Sequence, residues 1–367
     1  MKRLPLSLRL ALAPALVSSA LLLGACGSDD DNCCDTSDDK VTSELVADFA
    51  DNVVVPTYAK LATRLTELDA ASVALRNAPS AANLAAAKAA WQAARIPWEQ
   101  SEGFLFGPVD SFGFDPALDS WPVNRTDLDA VLASNDTLTQ EYVRNLQETQ
   151  KGFHTLEYLI FGDGGTKTVA DFTPRQYEYL TAISAELKSV GGSLHDAWTK
   201  TVDGRAPYRD TLANAGKSGN TAYPSVHSAA QEMVNGAINI LDEVANGKIA
   251  DPYDAKDPDL VESQFAYNSL SDFTNNIRSV ENVYLGHQQG ETAKGHSLQA
   301  VVGVDSALDK KIREQIAAAV TALAAIPEPF RQSIRDPNSA DEIEAAQAAI
   351  ITLHNTFQAE VLPIVSN

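Results

Sequence analysis

Beyond residue 34 the chain has no cysteine, for Cys26, Cys33 and Cys34 are all it contains. Whatever folds after them holds by packing alone, since no disulfide is available to it. Strand-like alternation is scarce, which argues against a sheet protein. There is no H-E-x-x-H, the inverted zinc motif H-x-x-E-H fails at Tyr158, and neither a phosphate-cradling glycine loop nor a G-x-S-x-G elbow occurs. Basic residues are in deficit too: 28 Lys and Arg against 49 Asp and Glu leave a formal charge of −21. Such a field repels nucleic acid and favours cations or cationic partners.

What is present begins with a leader. Lys2 and Arg3 form a basic start, and Leu4 to Leu23 is apolar with no acidic residue, the pattern of a secretory signal. Pro5, Arg9 and Pro14 interrupt the run, so it suits a cleaved segment better than a permanent span of about 20 clean apolar residues. Leu23-Gly24-Ala25-Cys26 resembles the bacterial lipobox, which implies cleavage before Cys26 and lipid on its thiol. Loss of Lys2, Arg3 and Arg9 with the leader takes the mature chain from −21 to −24. Residues 1–25 are thus read as a lipoprotein signal and 26–40 as an acidic tether, whose flexible coil reaches roughly 20 Å. Gly27, not aspartate, follows the cysteine, which favours the outer membrane of a bacterial envelope, facing the periplasm or the cell surface.

From Val41 onward, alanine-rich stretches with apolar residues every three or four positions predict an all-α fold. Helices are expected over 41–76, bent near Pro56; over 80–107, N-capped by Ser80 and kinked at Pro97; and from Pro174, where Thr173 and Gln176 form a capping box. Further helices are expected over 224–245, 262–285, 305–325 and 340–361, the last opened by a Ser339/Glu342 box. Two sets of about four long helices suggest an N-terminal bundle over 41–203 and a C-terminal bundle over 204–367. Between residues 108 and 124 lies a proline- and glycine-bearing loop that also carries Phe112, Phe114, Leu118 and Trp121, the composition of a packed, functional loop.

The most pointed local feature is Gly152-Phe153-His154-Thr155-Leu156-Glu157, with His154 and Glu157 three apart on one helical face. Imidazole and carboxylate so placed serve as paired metal ligands in helical bundles, and a surface ion pair is the blander reading. Candidates to complete a site are Glu99, Glu102, Asp110, Asp115 and Asp119, with Arg95 one turn before Glu99. Glu102, Glu157 and Glu281 each precede four mainly apolar residues and a glycine. Glycine there ends a helix, so each carboxylate would sit near a negative helix terminus and want a compensating cation. At least two of the three are expected to converge between the bundles.

The run Gly152–Glu157 resembles the G-x-H-x-x-E signature of the imelysin family, exported bacterial proteins linked to iron uptake and also classed as metallopeptidase-like. Residues 95–102, 115–122 and 268–286 resemble that family as well. The resemblance implies two helical bundles with a cleft between them and His154 and Glu157 near it. It further implies a metal or iron-bearing ligand touching His154 and Glu157 with Glu102 or Asp119, supported by Arg95, Glu99, Trp121, Ser271, Asp272 and Glu281. The metal is iron, or zinc if the protein is a peptidase, and an envelope transporter is the implied partner. Two other readings stay open: a zinc-type metallopeptidase, for which no established catalytic motif is present, and a structural lipoprotein whose polar motif pins two bundles together.

Overall fold

Helix is what the apolar spacing dictates, and helices are what form. The computed structural model describes residues 40–292 and 294–366, in which the only strand-like pairing is a bridge between Val202 and Arg205. The leader and Cys26, with the tether as far as residue 39, lie outside the described residues.

A short helix, Ser43–Phe49, widens into a π-turn at Ala50–Val54 and continues as α1, Val55–Asn77. The irregularity falls just before Pro56, whose missing N–H interrupts the regular ladder. Helix α2, Ala81–Glu99, starts where Ser80 Oγ accepts from the Asn83 amide at 3.2 Å. It buries Leu84, Ala87, Trp91, Ala94, Arg95 and Trp98, so a charged Arg95 stands on the apolar face of its helix. The expected continuation to Gly107 does not occur. The Ser101 amide and hydroxyl both bond the Trp98 carbonyl, at 2.7 and 2.6 Å, and the chain tightens into a 3₁₀ turn at Glu102–Phe104.

The aromatic loop holds a short helix, α3, Phe114–Asp119. Helix α4, Gly152–Phe161, is buried at every position except Tyr158, and α5, Pro174–Thr199, opens with the Thr173/Gln176 box. Helices α1, α2, α4 and α5 pack on one another. A second set follows: α6, Val226–Asp242, running on into a π-helical segment at Glu243–Ile249; α7, Ser269–Leu285; α8, Ala307–Ala325; and α9, Ala340–Thr356, continued by a π-turn at Phe357–Val361. Ser339 makes no capping hydrogen bond, contrary to the box expected there, because a 3₁₀ turn at Pro337–Ser339 leads into α9 instead.

The two sets meet where α2 packs on α7 and where α6 packs on the Glu102–Phe104 turn. Gly236 makes the second contact: a Cβ there would stand 2.3 Å from the Gly103 carbonyl oxygen. The buried apolar side chains form one continuous cluster across this junction. The helix expected from Glu262 begins seven residues late, at Ser269. Ser263 and Tyr267 adopt positive φ, of 52° and 57°, and coil residues 262–267 into turns that aim backbone amides and Glu262 inward.

Candidate metal centre

At the junction, charged and polar side chains from seven segments converge in the buried interior. Helix α2 supplies Arg95 and Glu99, the 3₁₀ turn Glu102, α3 Asp119, α4 His154 and Glu157, the π-segment Lys248, the turns after it Glu262, and α7 Asp272 and Asn276. All ten are buried.

His154 is fixed from both sides. Its Nδ1 lies 2.9 Å from Glu157 Oε2, and the other oxygen of Glu157 accepts from the Phe265 and Ala266 amides at 2.8 and 2.7 Å. Glu157 therefore orients the ring instead of sharing a coordination point with it, the role that carboxylates play behind metal-bound histidines. The free edge, Nε2, stands 3.0 Å from Asp119 Oδ1 and 3.8 Å from Glu262 Oε1, with no aligned hydrogen-bond partner. Gly152 sets that spacing. A Cβ at Gly152, where φ is +81°, would stand 2.5 Å from the Leu118 carbonyl oxygen, so glycine lets α4 seat against the end of α3 beside Asp119.

Arg95 threads the middle. One guanidinium nitrogen pairs with Asp119, and the other contacts Glu99, Glu262 at 2.8 Å and Asp272 at 3.4 Å. Lys248 Nζ lies 2.8 Å from Glu102, 3.0 Å from Glu262 and 3.6 Å from Glu99, beneath the ring of half-buried Trp121 at 5.1 Å. Asn276 donates to Glu99 and Glu102 at 2.7 and 2.8 Å, and Trp98 Nε1 donates to Asp119 at 2.5 Å.

Six carboxylates (Glu99, Glu102, Asp119, Glu157, Glu262 and Asp272) thus face Arg95, Lys248 and His154. Even with His154 protonated the carboxyl groups outnumber the cations by three. Burial accordingly pushes Glu99 and Glu102 well above the ordinary carboxylate range, and Asp272 up to about 6. Burial acts the same way on Asp119, but Arg95 and His154 outweigh it and hold that group ionised. Burial would depress His154, yet the Asp119 carboxylate overcomes it and lifts the imidazole to about 10. The centre is therefore short of positive charge, and takes up protons or a cation.

The ligand atoms of Asp119, His154 and Glu262 all lie within 4.8 Å of one another, and the same holds for Glu99, Glu102, Asp119 and Glu262. The first set fits a small transition-metal ion. Bonds of about 2.1 Å put neighbouring ligands roughly 3 Å apart, and a nitrogen with two carboxylate oxygens suits iron or zinc. Within the second set stand the heads of Lys248 and Arg95, and Arg95 also reaches the first, where its guanidinium nitrogens contact Asp119 Oδ1 and Glu262 Oε1 and are what an incoming ion would displace. The chain matches the imelysin family profile over residues 54–357.

The protein belongs to the imelysin family. It is 35% identical over 357 residues to iron-regulated protein A of Synechococcus elongatus, an alignment that covers 97% of this chain and 94% of that one. A crystal structure of a Parabacteroides distasonis protein described as an iron-regulated protein A precursor superposes with a TM-score of 0.80 at 29% identity, covering 91% of this chain and 96% of the other. An imelysin-like protein from Psychrobacter arcticus shares the fold at 14% identity, with a TM-score of 0.68 over 87% of this chain and 94% of its own.

In this imelysin the structure brings together His154, Glu157, Glu102, Asp119, Arg95, Glu99 and Asp272, and sets Trp121 over the group, its ring centroid 6.4 Å from that of His154. Ser271 and Glu281 stay apart. Asp272, Asn276 and Ser279 share the inner face of α7, whereas Ser271 is one position off it and exposed. Glu281 is nine residues beyond Asp272, about half a turn around the helix, and pairs with Arg278 at 2.6 Å. The glycines after Glu102, Glu157 and Glu281 all have positive φ; Gly162 and Gly286 end their helices, while Gly107 precedes a short one, Pro108–Ser111. Lys248 and Glu262 were not singled out by their sequence context. The signal that marks Lys248 is a lone lysine between Gly247 and the apolar pair Ile249-Ala250; for Glu262 none is visible.

Proposed function

We propose that this imelysin is a lipid-anchored envelope protein that binds iron as cargo, through Asp119, His154 and Glu262, with Glu157 orienting the imidazole. The observation that carries the reading is the convergence of two carboxylates on His154 Nε2 while Glu157 occupies Nδ1. The surplus of buried carboxylate supports it, because an incoming cation relieves a charge deficit already built into the fold. The name of the Synechococcus relative, iron-regulated protein A, is consistent with iron as the ion. A zinc peptidase is less well supported: His154 is only 2% exposed and Glu262 fully buried, so an extended peptide cannot lie against an ion held there without rearrangement of the centre. The anchor at Cys26, an outer-membrane location and delivery to an envelope transporter complete the proposal, since a tether reaching roughly 20 Å keeps the domain near a membrane partner.

Calorimetric titration of the mature Cys26→Ser protein with ferrous, ferric and zinc ions tests the reading beside His154→Ala. Specific binding lost in the variant is the expected result, and the absence of binding by the unaltered centre would refute it. Chelator-sensitive cleavage of peptides by the same preparation would favour the peptidase instead.

A further inference from the structure

A cavity of about 530 Å³ lies along α6 and reaches Glu102 at the edge of the buried centre. Its walls include Glu102, Tyr223, Glu232, Asn235, Asn239 and Glu243, and no lysine or arginine. Four of these, Glu232, Asn235, Asn239 and Glu243, recur three or four residues apart along one stripe of α6 and its π-helical extension. Asn235, Asn239 and Glu243 are exposed, whereas Glu102 is only 6% exposed, so the cavity runs from solvent to the edge of the charged core.

Glu102 is the second, independent pointer. The hydrogen bonds it receives among the described residues, from Lys248 and Asn276, both fall on Oε2. Its other oxygen is left without one, in a side chain more than nine-tenths buried that lines the cavity. From Glu102 a chain of packed ion-pair contacts leads inward: 2.8 Å to Lys248 Nζ, 3.0 Å on to Glu262, and 3.8 Å from Glu262 to His154 Nε2.

Resting on the iron-binding reading, we infer that this cavity is the access route by which a hydrated metal cation reaches the buried centre. Glu232 and Glu243 attract the ion at the mouth, and Glu102 and Glu262 take over its coordination as water is shed. The Lys248 ammonium is the cation it must displace. The ligand atoms that the polar side chains of the wall offer are carboxylate, amide and hydroxyl oxygens, with no imidazole or sulfur among them, which suits a hard, hydrated cation, and an anionic lining concentrates such ions. The cavity beside Lys60 and Arg64 differs in character: two cations, with Glu67 paired to Arg64, and the apolar surfaces of Ile96 and Pro97 line it.

Trp121, beside both His154 and Lys248, supplies a reporter. Stopped-flow fluorescence on anaerobic mixing with Fe²⁺ would compare the mature Cys26→Ser protein with two changes made in it. One is the pair Glu232→Gln and Glu243→Gln; the other is Asn239→Phe, which narrows the cavity without touching a ligand. Both are expected to slow association about tenfold, with unchanged calorimetric stoichiometry. The exposed pair Glu314→Gln and Glu328→Gln, carrying the same charge change away from the cavity, should bind at the parent rate. Thermal melts identify any variant that fails to fold, and the other then decides. Parent rates in a folded cavity variant would overturn the access route alone, whereas a parent protein that binds no Fe²⁺ would overturn the iron-binding reading as well.

Discussion

Replacing Arg95 with methionine removes the cation with the most partners in the centre while keeping most of the side chain's volume. Arg95 has no exposure and contacts Glu99, Asp119, Glu262 and Asp272. Breaking a buried ion pair from one side costs about 3–5 kcal/mol, because the partner charge is left uncompensated. A domain of this kind has about 5–15 kcal/mol in all, so a large part of its stability is at stake. The loss should be smaller in acid, because one of the carboxylates that Arg95 compensates, Asp272, then carries a proton. Asp272, raised by burial to about 6, is neutral at pH 5 and ionised at pH 8. Denaturant unfolding at the two pH values measures this, with Arg278→Ala as control; its pair with Glu281 is partly exposed and worth below about 1 kcal/mol. An Arg95→Met penalty no larger than the control's, or one equal at both pH values, would refute the picture of a buried centre short of positive charge.

Gly152→Ala should cost about 2 kcal/mol or more, from the positive φ and the overlap with the Leu118 carbonyl, and should weaken metal binding by parting Asp119 from His154. Gly192→Ala, where a Cβ would meet nothing within 4 Å, should be neutral or stabilising in the same unfolding assay. The raised pKa of His154 gives a stability contribution that is complete below its unfolded value of about 6.5 and is lost as pH rises through about 10. NMR of the imidazole in metal-free protein should show no titration between pH 6 and 8, and zinc binding should release a proton. Cys26→Ser should move the protein from the membrane to the soluble fraction of fractionated cells; retention in the membrane would remove the anchor from the account.

Sequence spacing was enough to place His154 with Glu157 and Arg95 with Glu99, because three- and four-residue separations on a helix are local facts. It also marked Asp119, through the aromatic loop that packs it. It gave no sign of what holds Glu157, since the Phe265 and Ala266 amides that bond this carboxylate come from more than 100 residues away. Glu262 was read as the first turn of a helix, and only the positive φ of Ser263 and Tyr267, which neither residue type announces, turns it inward. Lys248 escaped for a related reason. It sits in a π-helical segment, where the wider turn departs from the usual spacing that sequence periodicity follows. Glu281 shared the pattern of Glu102 and Glu157 but stands on the far side of α7, so an equal local signature led to a different place.

The central claim is that iron binds at His154 Nε2 between Asp119 and Glu262. Crystals of the mature Cys26→Ser protein soaked with Fe²⁺ under nitrogen, with diffraction recorded on both sides of the iron absorption edge, test it directly. The account predicts an edge-dependent anomalous peak about 2.1 Å from that nitrogen, and its disappearance in His154→Ala. A peak confined to the surface, or one beside Glu157 with His154 Nε2 still facing Asp119 alone, would contradict it.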